Sequence, residues 1–250
     1  MAASAPKRLP PTHFLCIPLV TTASRPQLSR SLGEFRDDIT DTNSFAIPAG
    51  AVRPLGTLHL TLGVMNLKEE GRLEEATALL KGLKLGEILQ ESGRAAKERA
   101  DRAAAAAVVT AEATSHEPLG GGEGQQGEGL QTMHKPTQAT VLYAVPEDGR
   151  GQLYPFCDKV RTAFIDAGLM VDEGRALLLH ATVVNTIYAG AGRRGRRKAL
   201  SLDARGILDR YEDFKWMDGQ PVESIAICKM GAKRVEEDGE AYESVAEVYF

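Results

Sequence analysis

Two stretches of the chain place a histidine and, two residues later, a threonine inside an apolar run. They are LHLTLGV, which begins at Leu58, and LLLHATVVNT, which begins at Leu177. In both, apolar residues alternate with the histidine and the threonine, which is typical of a strand with one buried and one polar face. The sequence around them predicts strands at 14–20, 58–65, 140–145, 177–186, 222–230 and 242–250, and helices at 26–39, 73–83, 152–167 and 203–211.

The predicted elements follow a similar order in the two halves of the chain. Each half begins with a strand and a helix, and then has a strand with the His-x-Thr pattern. The last two predicted strands are joined by a polar turn. This repetition indicates an internal duplication, with two α+β lobes of similar build. If the lobes are related by pseudo-symmetry, the two polar strand faces meet in a cleft.

The composition changes sharply between the two halves. From about residue 86 to residue 135 the chain is rich in Ala, Gly, Gln, Glu and Arg. Its first part, GRAAKERADRAAAAAVV, predicts an exposed helix, and LGGGEGQQGEGLQ predicts a flexible linker. The acids and the lack of a Lys-Ser/Thr pair argue against a phosphate-cradling glycine loop. We therefore expect a leader at 1–11 and one bilobal domain at 12–250 with a flexible insert at about 86–135.

Composition narrows the class of protein. The chain has 250 residues, of which 43% are hydrophobic and 26% charged, as in an ordinary globular protein. Its formal net charge of −4 excludes a global basic field for nucleic acid. Three scattered cysteines without a C-x-x-C pair favour a reducing compartment, so we expect the protein in the cytoplasm, the nucleus or both. No apolar run is long enough to predict a membrane span.

Strict alternation along the two motif strands defines a candidate site. The face that would line the cleft carries the residues that the motifs share, namely His59, Thr61, His180 and Thr182. Val64 and Asn185 fall on the opposite face, so Asn185 is left out of the candidate site. The other three histidines, His13, His116 and His134, lack this setting and are predicted to be solvated.

Two facing imidazoles can share the work of acid–base catalysis. Imidazole has an unperturbed pKa of roughly 6.5, so it can accept or donate a proton near neutral pH. A neutral ring can deprotonate a ribose hydroxyl or water while a protonated ring protonates the departing oxygen. The threonine hydroxyls can donate to non-bridging phosphate oxygens. This chemistry needs neither a metal nor a cofactor, and none is expected. A lone histidine in an apolar strand is more often structural, but two equivalent strands favour the catalytic interpretation.

These motifs resemble the paired H-x-T-x signature of the 2H phosphoesterase superfamily, which includes 2′-5′ RNA ligase-like proteins and cyclic phosphodiesterases. The segments THFLCIPL and DARGILDRYEDFKWMDGQPVESIAICKMGAKR are similar to the A-kinase-anchor-protein-like 2H domain of activating signal cointegrator 1 complex subunit 1. In that subunit a KH domain precedes the 2H domain, whereas the short leader here predicts none.

The resemblance carries expectations about fold and site. It implies an α+β, bilobal, pseudo-symmetric fold with two antiparallel sheets facing a central cleft and helices outside. It implies His59 and His180 as catalytic residues and Thr61 and Thr182 as phosphate-binding residues. The assignment of acid and base to the two histidines stays open, because it depends on the direction of the reaction.

A basic run, RRGRRK, follows the second motif strand. One interpretation is a solvated loop or a localisation-type run. The alternative is that it grips the flanking phosphates of an RNA strand near the cleft. The candidate RNA-binding residues are Arg193, Arg194, Arg196, Arg197 and Lys198.

The leading functional hypothesis is a metal-independent phosphodiesterase that acts on RNA or nucleotide phosphodiesters, either a 2′-5′ linkage or a 2′,3′-cyclic phosphate. The alternative is a non-catalytic nucleotide- or RNA-binding subunit of a transcription-coactivator, helicase or repair complex. Ligation, the reverse of cleavage, ranks below both because hydrolysis is favoured in water. We expect a monomer that has RNA or nucleotide as its substrate and no membrane partner.

Overall fold

The computed structural model describes residues 9–111, 129–189 and 199–250, which form strands and helices. In chain order the elements are β1 (His13–Pro18), α1 (Arg25–Thr40), β2 (His59–Met65), α2 (Arg72–Gly82), α3 (Leu85–Ala111), β3 (Leu130–Thr132), β4 (Val141–Ala144), α4 (Leu153–Asp166), β5 (Ala181–Asn185), α5 (Arg205–Arg210), β6 (Ser224–Lys229), β7 (Lys233–Val235), β8 (Gly239–Ala241) and β9 (Ser244–Tyr249).

Two antiparallel sheets carry the motif strands. The four-stranded sheet has the order β2-β1-β6-β9, and the three-stranded sheet has the order β3-β4-β5. Each motif strand is therefore an edge strand of its own sheet. The fold is α+β with antiparallel sheets, as predicted. The four-stranded sheet combines strands from both ends of the chain, so the two sheets do not correspond to the two halves of the sequence.

Each sheet is covered by a helix that follows a strand of the other sheet. Helix α4 follows β4, yet its Phe156 and Phe164 lie in one apolar cluster with Leu15 and Leu62 of the four-stranded sheet. Helix α1 follows β1, yet Phe35 lies in a second cluster with residues of the three-stranded sheet. The helical spacing of the apolar residues gives α1 a single buried face, which consists of Leu28, Ser31, Leu32, Phe35 and Ile39. The two sheets are therefore braced against each other through their helices.

Two segments differ from the sequence-based expectation. The predicted polar turn before the last strand contains the β7–β8 hairpin, a short ribbon next to which Asp238 binds Arg25 of α1. The sequence predicts a solvated His13, but His13 is buried at the start of β1, where its Nδ1 lies 2.9 Å from the Thr12 hydroxyl. His134 is exposed as predicted, and His116 lies outside the described residues.

The predicted flexible insert is too wide. Its first part forms the predicted helix, but Leu85 and Ala96 of α3 are buried, and Glu91 forms an ion pair of 2.9 Å with Lys159 of α4. These contacts make α3 part of the fold. Strand β3, also within the predicted insert, pairs with β4. The remaining stretch, residues 112–128, lies outside the described residues.

Replacing Phe35 by Ala is expected to destabilise the whole protein by about 3–5 kcal/mol, because the ring is fully buried between α1 and the opposite sheet. Urea unfolding should still show a single transition, since the helix braces both sheets. Glu34→Ala, at the exposed neighbouring position of α1, is the matched control and should change the free energy of unfolding by less than about 0.5 kcal/mol. Two separate transitions in Phe35→Ala would contradict the cross-braced architecture.

Candidate active site

His59 is the first residue of β2, a strand whose apolar face is anchored in the core. Leu60 and Leu62 are buried, whereas the side chains of His59 and Thr61 are half-buried on the other face. The His59 Nδ1 lies 2.7 Å from the carbonyl oxygen of Thr57, two residues earlier. Because a carbonyl only accepts, Nδ1 must carry the proton in this bond. The neutral ring therefore keeps its lone pair on Nε2.

His180 repeats this arrangement in the second motif. It stands immediately before β5, and its Nδ1 lies 2.9 Å from the carbonyl oxygen of Leu178, again two residues earlier. The predicted strand over 177–186 is thus too long, because residues 177–180 approach the sheet without pairing in it. The same local bond fixes both rings in the same tautomer. Each Nε2 is left for chemistry.

A β-bulge follows the threonine in both motif strands. Leu15 pairs with Gly63 and Cys16 pairs with Thr61, so Leu62 is the extra residue of β2. In β5, Val183 is the extra residue, because the partners on β4 pair with Thr182 and Val184. An extra residue reverses the alternation of the side chains that follow it. The two bulges occupy equivalent positions, which supports the internal duplication predicted from the sequence.

The bulges correct two sequence-based predictions. Strict alternation predicts Val64 on the buried face, but 43% of it is exposed and it lines the cleft. The same alternation excludes Asn185 from the site, yet Asn185 lines the cleft beside Thr182. The two residues are equivalent in the duplicated motifs, five positions after each histidine. The bulge carries no signal in the pattern, because Val183 and Val184 are both apolar.

The cleft between the motif strands is a cavity of about 210 Å³. It brings together three of the four predicted residues, His59, Thr61 and Thr182, with Asn185 and Arg53. His180 is not part of the lining of this cavity. It lies two positions before Thr182, packs edge-on against the Tyr143 ring at 5.3 Å, and is close enough for its charge to act on His59. The five residues of the basic run, Arg193, Arg194, Arg196, Arg197 and Lys198, lie outside the described residues.

Arg53 is a site residue that the sequence reasoning missed. Only 5% of it is exposed, and its guanidinium stacks 4.1 Å above the Tyr188 ring. Its backbone N–H donates to the carbonyl oxygen of Val183 across 2.8 Å, and the adjacent Val52 forms a β-bridge with Val184. Among the ion pairs formed by the described residues, none involves Arg53. A buried cation beside hydroxyl donors is suited to an anionic ligand.

The signal for Arg53 in the sequence is weak. It stands in VRPLGT, six residues before His59 and outside any predicted element. Its place in the cleft depends on the pairing of residues 52 and 53 with β5, a contact between distant parts of the chain. Such a contact cannot be inferred from local periodicity.

The surroundings of His59 keep its ring neutral. Burial lowers the pKa of His59 to about 4, and the nearby charges of His180 and Arg53 act in the same direction, against the opposing effect of the bond to Thr57. Phe14 and Tyr242 supply much of this burial, with ring centroids 4.8 Å and 5.2 Å from the imidazole. At neutral pH His59 is therefore a proton acceptor.

The β7–β8 hairpin holds Tyr242 in place beside His59. The hairpin packs so closely on the segment before β2 that a Cβ at Gly56 would lie 2.8 Å from the carbonyl oxygen of Glu240. Arg25 adds an ion pair to Asp238 in the turn of the hairpin. The wall of the cleft next to His59 is thus built by an element that the sequence reasoning did not predict.

The described part of the chain contains no group of three His, Cys, Asp or Glu side chains arranged to hold a metal ion. No helix within the described ranges has the length and apolar character of a membrane span. The three cysteines are buried free thiols.

The profile of the AKAP7 2′5′ RNA ligase-like domain matches residues 11–250. The chain belongs to this family. The assignment confirms the resemblance that the two His-x-Thr motifs predicted. The match covers both motif strands and both sheets, so the site described above lies wholly within the family domain.

Two curated relatives match shorter parts of the chain. Activating signal cointegrator 1 complex subunit 1 of Mus musculus is 32% identical over 102 residues, which cover 34% of this chain and 29% of that protein. An uncharacterized protein of Schizosaccharomyces pombe is 30% identical over 107 residues, which cover 43% of this chain and 47% of that protein. The chain thus spans less than half the length of these relatives.

Solved structures cover nearly the whole chain at low similarity. E. coli LigT complexed with 3′-AMP has 16% sequence identity and a TM-score of 0.41, with 96% of this chain and 98% of that chain covered. The protein TT0787 of Thermus thermophilus has 12% identity and a TM-score of 0.46, with 95% and 97% covered. Because these similarities are low, the family assignment rests on the match to the domain profile.

Replacing Arg53 by Gln is expected to raise the pKa of His59 slightly above its value of about 4, because a nearby positive charge is removed while burial, the main cause of the low pKa, remains. NMR titration of the imidazole protons measures this pKa without any assumption about activity. Arg150→Gln, on an exposed turn, is the matched control and should leave the titration unchanged. An unshifted His59 titration in Arg53→Gln would show that the guanidinium does not act on the ring.

Proposed function

We propose that the protein is a metal-independent phosphodiesterase that cleaves RNA or nucleotide phosphodiesters, a 2′-5′ linkage or a 2′,3′-cyclic phosphate, by two-histidine acid–base catalysis. The observation that carries the proposal is the repeated Nδ1–carbonyl bond of His59 and His180, which leaves both Nε2 atoms for proton transfer. A purely structural histidine has no need of this matched tautomer. Membership of the 2′5′ RNA ligase-like family supports the same class of chemistry.

In this mechanism His59 is the general base. Its lowered pKa keeps it neutral, so Nε2 can take the proton of a ribose hydroxyl or water as that oxygen attacks phosphorus. His180 in its protonated form donates to the oxygen that leaves. After this step His59 carries a proton and His180 has lost one, so the site is ready for the reverse reaction. Exchange of these protons with water prepares the two histidines for a second forward step. The same balance allows ligation, which water disfavours.

The remaining polar groups hold the phosphate. Thr61 and Thr182 stand on opposite motif strands, and each hydroxyl can donate to a non-bridging oxygen. The guanidinium of Arg53 offsets the charge that develops on these oxygens in the transition state. Asn185 adds an amide donor from the second strand. Positioning phosphorus between the two rings supplies the orientation that acid–base catalysis requires.

His59→Ala and His180→Ala are each expected to lower the rate of cleavage by about 10²–10⁴-fold, the usual contribution of a positioned acid or base. The assay offers 2′-5′ oligoadenylate, a 2′,3′-cyclic nucleotide and single-stranded RNA in the presence of EDTA. His134→Ala, an exposed histidine outside the cleft, is the matched control and should retain full activity. The mechanism would be contradicted if EDTA abolished cleavage. It would also be contradicted if either motif variant kept a cleavage rate within a few-fold of the wild-type rate.

A second candidate function is a nucleotide- or RNA-binding subunit of a larger assembly. Similarity to a subunit of the activating signal cointegrator 1 complex favours it. In that role the cleft would bind a nucleotide or an RNA end without turnover, in a transcription-coactivator, helicase or repair complex in the nucleus or cytoplasm. Binding of the substrate panel with no cleavage of any member would favour this alternative.

The basic run is proposed to contribute salt-dependent affinity for RNA. Substituting Ala at all five basic positions, Arg193, Arg194, Arg196, Arg197 and Lys198, removes five positive charges. Each lost phosphate contact should reduce the slope of log affinity against log salt by about 0.7 for single-stranded RNA. Filter binding from low to moderate salt measures the slope. An unchanged slope would indicate that the run is a solvated loop or a localisation-type run instead.

A further inference from the structure

The fold brings together two of the three cysteines, although they stand 212 positions apart in the chain. The sulfur atoms of Cys16 in β1 and Cys228 in β6 are 3.8 Å apart. Both belong to a small apolar cluster with Phe14 and Ala226, separate from the two large clusters that join sheets and helices. A chemical change at these thiols therefore acts on the four-stranded sheet without opening either large core.

Both thiols lie in the wall of a cavity. The cavity has a volume of about 600 Å³, and His59 and Phe14 belong to the same wall. Only 1% of Cys16 and 6% of Cys228 is exposed, so a small neutral oxidant such as hydrogen peroxide suits this access better than a bulky one. The third cysteine, Cys157, is fully buried in a large core and does not line the cavity.

The contact between the two sulfur atoms gives them different reactivity. When Cys228 ionises, the Cys16 S–H donates to its sulfur, and this bond lowers the pKa of Cys228 and raises that of Cys16 well above the usual thiol value. Burial and the Glu247 carboxylate oppose the change at Cys228, whereas the Ser244 hydroxyl supports it. The thiolate is the reactive form of cysteine, so Cys228 is the nucleophile of the pair.

The positions of the two cysteines favour a bond that is easily reversed. Cys16 pairs with Ala226 and Cys228 pairs with Phe14, so the cysteines are diagonal neighbours on adjacent strands. Diagonal neighbours have Cα atoms about 7–8 Å apart, whereas a relaxed disulfide has them about 4.4–6.8 Å apart. A bond between the sulfur atoms must draw β1 and β6 together, and the resulting strain makes it easier to reduce. Such a bond fits the reducing compartment expected from the sequence, where disulfides are transient or redox-sensing.

We propose that Cys16 and Cys228 are a reversible redox pair that hydrogen peroxide closes to a disulfide. The Cys228 thiolate attacks one peroxide oxygen, the O–O bond breaks, and the departing hydroxide takes up a proton to become water. The Cys16 sulfur then attacks the sulfur of the Cys228 sulfenic acid, the S–O bond breaks, and a second water leaves with the Cys16 proton. Two thiols are oxidised, and one peroxide is reduced to two waters. A small thiol reopens the disulfide by exchange.

The redox pair is coupled to the candidate active site through Phe14. This residue pairs directly with Cys228, and its ring packs on the His59 imidazole with the centroids 4.8 Å apart. Drawing β1 and β6 together displaces the Phe14 ring relative to the imidazole. Oxidation therefore changes the surroundings of His59 without modifying either His-x-Thr motif.

Intact-mass spectrometry tests the redox pair. After treatment with hydrogen peroxide, the monomeric protein should lose two hydrogen atoms, peptide mapping should join Cys16 to Cys228, and dithiothreitol should restore the original mass. The ring-proton NMR signals of His59 should shift on oxidation and return on reduction. Cys157→Ala is the matched control and should behave like the wild type, because burial raises the pKa of Cys157 to about 12 and keeps this thiol unreactive.

Two variants separate the steps of the oxidation. Cys16→Ala should accumulate the Cys228 sulfenic acid, which dimedone traps, whereas Cys228→Ala should form neither the adduct nor the disulfide and should keep its His59 signals unchanged. Equal dimedone labelling of the two variants would overturn the assigned roles. Wild-type protein that keeps its thiols, or that stops at the sulfenic acid, would overturn the pair, and a disulfide with unshifted His59 signals would overturn its coupling to the site. None of these measurements uses turnover, so they do not bear on the proposed function.

Discussion

The segment that leads into β2 is paired with β5, the motif strand of the other sheet. Val52 bridges Val184, and the N–H of Arg53 donates to the carbonyl oxygen of Val183. This short antiparallel contact sets the distance between the backbones of the two motifs. Each imidazole is hydrogen-bonded to the carbonyl oxygen two residues before it, so the same contact sets the distance between the two rings. It also carries Arg53 into the cleft and covers the bulged part of β5. The geometry of the site thus depends on a few backbone hydrogen bonds between the two sheets.

The two histidines share a local geometry but not an environment. His59 is enclosed by Phe14 and Tyr242 and feels the charge of Arg53, so its pKa falls to about 4. His180 meets the edge of the Tyr143 ring and has no such enclosure by two rings among the described residues. The two motifs present the same bonded imidazole twice, but the surroundings of the two rings differ. The asymmetry comes from the hairpin and from Arg53, neither of which has a counterpart in the repeated pattern.

The sequence alone predicted the parts of the fold that depend on local periodicity. The main helices, the motif strands and the placement of the two His-x-Thr pairs on two sheets follow from alternation and repetition. Asn185 could not be found in this way, because a bulge changes the face of a strand without changing its apolar pattern. Arg53 and the β7–β8 hairpin depend on contacts between distant segments. The exchange of helices between the sheets also depends on contacts between distant segments, because the amphipathic pattern of a helix does not indicate which sheet the helix covers.

That exchange has a consequence for how the two sheets are held together. Helix α1 follows a strand of the four-stranded sheet but shares a core with the three-stranded sheet, and α4 does the reverse. Helix α2 stays with the sheet of its own strand, because its Ala76 and Leu80 lie in the same cluster as Leu15 and Leu62. The exchanged helices therefore add cover from another part of the chain, as exchanged elements do in a domain-swapped dimer. A single chain that carries both helices holds this exchange without association.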